Sequence, residues 1–147
     1  MKDLYNCNSG DFIADIKQII EQSRKQAYVS VNAIMIRSYW LLGKRIVEEE
    51  QGGDSRAEYG KFLLTNLANE LTAIYGNAYS VRRLREYRQF YVYFSDLEMW
   101  QSRVPNLTWT HYRELITVHE KEARNWYMQE ASNEMWSVRT LDRNIST

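Results

Sequence analysis

The stretch that decides the fold runs Ser80-Val-Arg-Arg-Leu-Arg-Glu-Tyr-Arg-Gln-Phe-Tyr-Val-Tyr-Phe94. At 100° per residue, Leu84, Tyr87, Tyr91 and Phe94 gather on one face of a helix. Arg82, Arg85, Glu86 and Gln89 fall opposite, and Arg83 and Arg88 flank them. The spacing predicts an amphipathic helix over about 81–95, capped by the Ser80 hydroxyl. Its local charge is four Arg against one Glu, or +3.

Working outward, the same period recurs. Asp11 caps a helix predicted over about 11–28, with Phe12, Ile16, Ile19 and Ile20 on one face. Tyr28-Val29-Ser30-Val31 has strand-like propensity but no hairpin partner, so it reads as a junction between helices. A second helix follows over about 31–50, with Met35, Tyr39, Leu42 and Ile46 as its stripe, and Gly52-Gly53 ends it. Ser55 and Glu58 form a capping-box pattern. They open a third helix over about 56–75, with Tyr59, Leu63, Leu67, Leu71 and Ile74 inward. Gly76-Asn77 breaks the chain before Ser80. A looser stretch, 96–108, holds the single proline, Pro105. Thr110 opens a helix to Val118, another covers about 120–132, and Ser137 opens the last, where Val138, Leu141 and Ile145 share a face. One proline and six glycines in 147 residues favour an all-α chain, because helices avoid both.

Composition excludes several classes. Apolar residues make up 44% and charged residues 26%, as in a folded globular domain. The formal net charge is zero, which argues against coating nucleic acid by bulk charge. No apolar run is long enough to span a bilayer, so no membrane partner is expected. Met1 to Ser9 is polar and unlike a signal peptide. Cys7, the lone cysteine, fits a reducing cytoplasm.

Catalytic and metal-binding patterns are missing. His111 and His119 stand eight apart without a third ligand at metal spacing, so no metal or cofactor is expected. His111 reads as a phosphate or core contact. Cys7 has no base partner. Pro105 is followed by Asn106, so the nuclease pattern Pro-Asp with a later Asp/Glu-x-Lys has no counterpart. No catalytic residue is assigned.

The arginine helix carries the functional reading. A helix that enters a major groove needs one apolar face for anchoring and an opposite face of Arg, Gln or Asn. The planar fork of Arg meets guanine or phosphate with two parallel bonds. The preceding helix, the turn Gly76–Tyr79 and this helix form a helix-turn-helix-like unit. Its turn is about two residues longer than the commonest form when Leu84 and Tyr87 set the register. A second reading is a solvated helix whose arginines pair with glutamates elsewhere. Glu48, Glu49 and Glu50 read as a solvated helix end or as a docking patch for a basic surface. Trp40, Trp100, Trp109, Trp126 and Trp136 fit core packing best, with base stacking or a self-association surface as other uses.

Several stretches in one order resemble a known family. They are Tyr39-Trp40 with Gly43 and Ile46; Glu50-Gln51; Ala57 to Lys61; Tyr79-Ser80 through Arg88 to Tyr91; Leu107 to Leu115; Ala123 to Tyr127; and Trp136 to Arg139 with Arg143. Together they are similar to the N-terminal domain of the YhcG-like bacterial proteins. The resemblance implies a helical, DNA-binding domain that precedes a nuclease domain of the PD-(D/E)XK superfamily. It also implies that any cleavage belongs to that C-terminal nuclease domain.

The reading is therefore an all-α, compact domain of about six to seven helices containing a helix-turn-helix-like unit. Residues 1–10 form a flexible tail and residues 11–147 one domain. Its expected partner is nucleic acid, double-stranded DNA, contacted through Ser80, Arg82, Arg83, Arg85, Arg88, Gln89 and Arg113. The alternative is a protein-interaction or dimerisation domain, with a homodimer as one form.

Overall fold

A computed structural model describes residues 9–52, 57–103 and 106–147. Every regular element among them is helical. The helices are α1 (Ser9–Gly52), α2 (Ala57–Tyr75), α3 (Val81–Tyr93), α4 (Leu97–Gln101), α5 (Trp109–Leu115), α6 (Lys121–Asn133) and α7 (Val138–Ser146). A 3-10 turn, Asn77–Tyr79, joins α2 to α3. The fold is all-α, with seven α-helices among the described residues.

Two expectations change. The junction predicted at Tyr28–Val31 does not exist, because α1 runs unbroken for 44 residues. A β-branched residue costs a helix only about 0.5 kcal/mol, and strong helix formers on both sides carry the turn through. The stretch 96–108 gains a short helix, α4, where the Asp96 side chain accepts from the Glu98 amide at 3.1 Å. The tail proposed for residues 1–10 falls mostly outside the described residues, as do Ser55 and Pro105.

The core forms where α1 crosses α3. Ile36, Trp40 and Ile46 of α1 are buried against Leu84, Tyr87 and Phe90 of α3. The two backbones approach closely at Gly43, where any Cβ would overlap the Tyr87 carbonyl. Trp40 Nε1 donates to the Phe94 carbonyl at 2.8 Å, which satisfies an acceptor at the C-terminal end of α3. Phe90, Phe94, Trp100 and Tyr112 make an aromatic cluster with centroids 5.2–6.3 Å apart. Their edge-on and tilted geometry suits ring quadrupoles. Leu107, Leu115, Met128 and Leu141 close this cluster from α5, α6, α7 and the segment before α5.

A second cluster seats α2. Leu64 and Ala68 bury against Ile46, Leu84 and Tyr87. The buried strip of α2 is therefore turned from the expected one, and Ile74 stays exposed. Trp40 and Trp100 lie in the core as expected. Trp109 and Trp136 are half-buried, and Trp126 is exposed.

Candidate nucleic-acid interface

The turn before α3 fixes the helix's start. Gly76 has φ +87°, a conformation that favours glycine. The Tyr87 hydroxyl donates to the Ala78 carbonyl at 2.8 Å, tying the 3-10 turn to α3 one helical stretch later. Tyr87 also stacks on Tyr39 of α1, with centroids 4.2 Å apart and planes 2° from parallel. Burial and the neighbouring Tyr39 push the Tyr87 phenol well above its ordinary range, so it stays a donor. Ser80 caps α3, and its hydroxyl oxygen accepts from the Arg83 amide at 3.3 Å.

With α3 fixed this way, its outer strip faces an open groove of about 540 Å³ between α3 and α5. Arg82, Arg85 and Gln89 line one wall. Thr110, Arg113 and Thr117 line the other, with His119 at one end. The Arg82 side chain is 84% exposed. Arg85 is also exposed and has no acidic partner among the described residues. Arg82 approaches only Glu86 of its own helix, at 3.8 Å, whereas Arg88 pairs with the distant Glu50 as the solvated-pair reading expects.

Glu86 sits between the walls. Arg113 Nε and Nη2 donate to its two oxygens at 2.7 and 3.2 Å, a bidentate bridge from α5 to α3. Arg83 and Arg82 approach the same carboxylate at 3.7 and 3.8 Å. At those distances and exposures they are loose, screened partners. Glu114 lies across the groove. Burial and the adjacent Asp142 hold its carboxyl above the usual carboxylate range. The lining carries three arginines against two glutamates.

The remaining predicted residues lie outside the groove lining. Arg88 lies on the flank of α3 nearest α1, where Nε and Nη2 donate to Glu50 at 2.6 and 2.9 Å. That bridge raises the Arg88 pKa and uses Glu50 inside the fold. Of Ser80, Arg82, Arg83, Arg85, Arg88, Gln89 and Arg113, the structure brings Arg82, Arg85, Gln89 and Arg113 to one groove. Arg83 approaches Glu86 from outside the lining, Ser80 caps, and Arg88 braces.

The α5 wall was not read in full from the sequence. Thr110, Arg113, Glu114 and Thr117 stand at i, i+3, i+4 and i+7, a polar strip that helical spacing alone reveals. The true cap of α5 is Thr108, and His111 completes its capping box. His111 is buried, with Nε2 2.8 Å from the Trp136 carbonyl, so it is a core contact. His119 pairs with the Tyr93 hydroxyl at 3.0 Å. Arg124 is buried with its guanidinium 3.7 Å from the Tyr93 ring centre, and it donates to the Val118 carbonyl at 2.9 Å.

Among the described residues no group of three His, Cys, Asp or Glu side chains could hold a metal ion. No described helix is long and apolar enough to cross a membrane.

The fold and groove define a helical domain with an arginine-lined face. A family model described as the DUF1016 N-terminal domain matches residues 15–147. The chain belongs to that family. It is 32% identical, over 161 aligned residues, to the Escherichia coli (strain K12) protein named "Putative nuclease YhcG". That alignment covers 90% of this chain and 43% of the relative, so the chain spans less than half of the relative's length. No solved structure matches.

Proposed function

We propose that this domain binds double-stranded DNA in the cytoplasm and targets a nuclease, with cleavage carried by a PD-(D/E)XK-type domain outside this chain. The observation that carries the reading is the pair Arg82 and Arg85, solvent-directed on one strip of α3, beside a groove that Arg113 shares. In this reading α2, the turn 76–80 and α3 act as a helix-turn-helix variant, with α3 as the helix presented to DNA. Arg82, Arg85 and Gln89 reach base edges or phosphates, Arg83 reaches phosphates, and Arg113 adds a phosphate contact when it leaves Glu86. Ser80 and Arg88 hold α3 at its angle. The named activity of the YhcG relative supports a nucleic-acid partner for the whole protein.

The test is fluorescence anisotropy of this chain with labelled duplex DNA across a salt series, beside the Arg82→Ala/Arg85→Ala variant. Wild type is expected to bind and to weaken steeply with salt. Loss of two phosphate contacts makes the slope of log K against log salt shallower by about 1.8. An unchanged slope in the variant, or no wild-type binding at low salt, overturns the reading. Tighter binding to single-stranded RNA of matched length would reassign the nucleic acid.

A further inference from the structure

From Asp11 to Tyr28 every residue of α1 is exposed, so the first half of the helix stands away from the rest of the described chain. Such an arm would ordinarily be polar all round. This one is not. Phe12, Ile13, Ile16, Ile19, Ile20, Val31, Ile34 and Leu41 are all large, apolar and exposed, from 42% for Ile16 to 66% for Phe12. At 100° per residue these eight fall within an arc of about 120°. The core-facing residues Ile36, Trp40 and Gly43 lie on the other side of the helix. Two apolar patches, at residues 12–20 and 31–41, therefore share one arc from the arm onto the domain, joined by Ser23, Ala27 and Ser30 over a total length of about 44 Å at 1.5 Å per residue.

We propose that this stripe pairs with the same stripe of a second copy, as an antiparallel two-helix dimer centred near Ala27. Three observations select this occupant. The first is spacing. Ile13, Ile16, Ile20, Ser23, Ala27, Ser30, Ile34, Arg37 and Leu41 alternate three and four apart, the seam that one helix offers another. The second is charge. Residues 11–21 contain Asp11, Asp15, Glu21 and Lys17, a net −2. Residues 22–47 contain Arg24, Lys25, Arg37, Lys44 and Arg45 with no acid, a net +5. Antiparallel pairing about Ala27 lays residues 11–21 of each arm along residues 33–43 of the other, which carry Arg37, with Lys44 and Arg45 just beyond. Parallel pairing sets like against like and is disfavoured. The third is fit. About the Ala27 centre, Ile20 meets Ile34 and Ile13 meets Leu41. Ile34, Ser38 and Leu41 already edge a shallow groove on α1 with Arg37 beside it, on the same flank as Asp15.

The outline of the stripe lies near the lower limit for a specific interface. A stripe about 44 Å long on a helix about 10 Å across presents roughly 440 Å² of outline per copy. Two copies approach the ~1,000 Å² that a specific interface needs, before side chains interlock. The proposal stands apart from nucleic-acid binding, since no residue of the groove takes part.

The test is light scattering with size exclusion over a wide concentration range, without DNA, joined to cysteine crosslinking in a Cys7→Ser background. The expected mass is twice that of one chain. Ile20→Glu/Ile34→Glu is expected to raise the dimer dissociation constant at least about a hundredfold, because each copy loses two apolar contacts. Those side chains are exposed in the single chain, so helical circular dichroism of the variant should persist. Ala27→Cys is expected to crosslink to itself. Ile16→Cys should not, but should crosslink to Ser38→Cys when the two variants are mixed. Self-crosslinking of Ile16→Cys means a parallel pair and overturns the proposal. So does a monomer at every concentration, or a stripe protected only by a different polypeptide.

Discussion

A Cβ placed on Gly43 would overlap the carbonyl oxygen of Tyr87 and lie 2.9 Å from Tyr91 Cβ. The crossing of α1 and α3 therefore depends on a residue without a side chain. The first neighbour is backbone, which cannot turn aside. Gly43→Ala must push the two helices apart and loosen Ile36, Trp40, Leu84 and Phe90 together. The expected loss is about 1–3 kcal/mol. That lowers the thermal midpoint by roughly 3–9 °C in a chain of this size. Gly52→Ala is the control, because no described residue lies within 4 Å of its added carbon. Thermal unfolding by circular dichroism separates the two variants.

His111 gives the fold a pH dependence of known sign. Its Nδ1 accepts from the Thr108 amide at 3.0 Å, which requires that nitrogen to be unprotonated. Its Nε2–H then donates to the Trp136 carbonyl at 2.8 Å. Burial holds the folded pKa below the ordinary value, against the smaller opposite effect of the Trp136 bond. The unfolded chain thus takes up the proton first as pH falls below about 6.5. Stability is full above that value and declines as pH drops toward the lowered folded pKa, by at most about 1.4 kcal/mol per pH unit from this group. Urea unfolding between pH 7.5 and 5 is expected to show the decline. In His111→Gln the curve should flatten over that window from a lower starting stability. A wild-type curve with no slope there contradicts the assignment.

Much of this was legible in the sequence, and the rest was hidden for physical reasons. The period of residues 80–94 gave the helix, its cap and its buried Leu84, Tyr87 and Phe94, because local hydrogen bonding and burial act over a few turns. Strand propensity at Tyr28–Val31 misled, because a short β-branched run cannot stop a helix that is in phase on both sides. Two bridges were out of reach. Arg88 and Glu50 are 38 residues apart, and Arg113 and Glu86 are 27 apart. Charge at such separation has no local signature, so helical spacing placed Arg88 on a flank without showing its bond to Glu50, and gave no sign of the bond from Arg113 to Glu86. The stripe on α1 was readable as a face. Only the structure shows that nothing among the described residues covers it.

The brace at Arg88 separates architecture from binding. Its bidentate bond to Glu50 joins α3 to the end of α1, with side chains 36% and 20% exposed. Partial exposure screens the pair, so a double-mutant cycle with Arg88→Ala and Glu50→Ala should give a coupling of about 1 kcal/mol. Arg88→Ala should leave the salt slope of DNA binding unchanged, since its head group points away from the groove. A slope shallower by about 0.9 would instead make Arg88 a phosphate contact. Urea unfolding and anisotropy on the same four proteins decide between these outcomes.

Glu86 is the residue at which stability and DNA binding are expected to oppose each other. Its carboxylate holds Arg113 in a two-bond bridge and lies 3.7–3.8 Å from Arg83 and Arg82. In the folded chain it restrains Arg113 and cancels one positive charge of the proposed interface. Glu86→Gln removes the charge but keeps the shape and one acceptor. Arg113, partly buried, loses its counter-charge, so stability should fall by about 1 kcal/mol. The groove gains one positive charge, and Arg113 becomes free to turn outward. Duplex DNA should then bind about threefold to tenfold more tightly at low salt, with a slope steeper by up to about 0.9. Weaker binding at unchanged slope would mean that the bridge itself shapes the interface, holding α5 at the distance from α3 that DNA requires. Chemical unfolding and salt-dependent anisotropy on this single variant, beside wild type, distinguish a cation that is released from a groove that collapses.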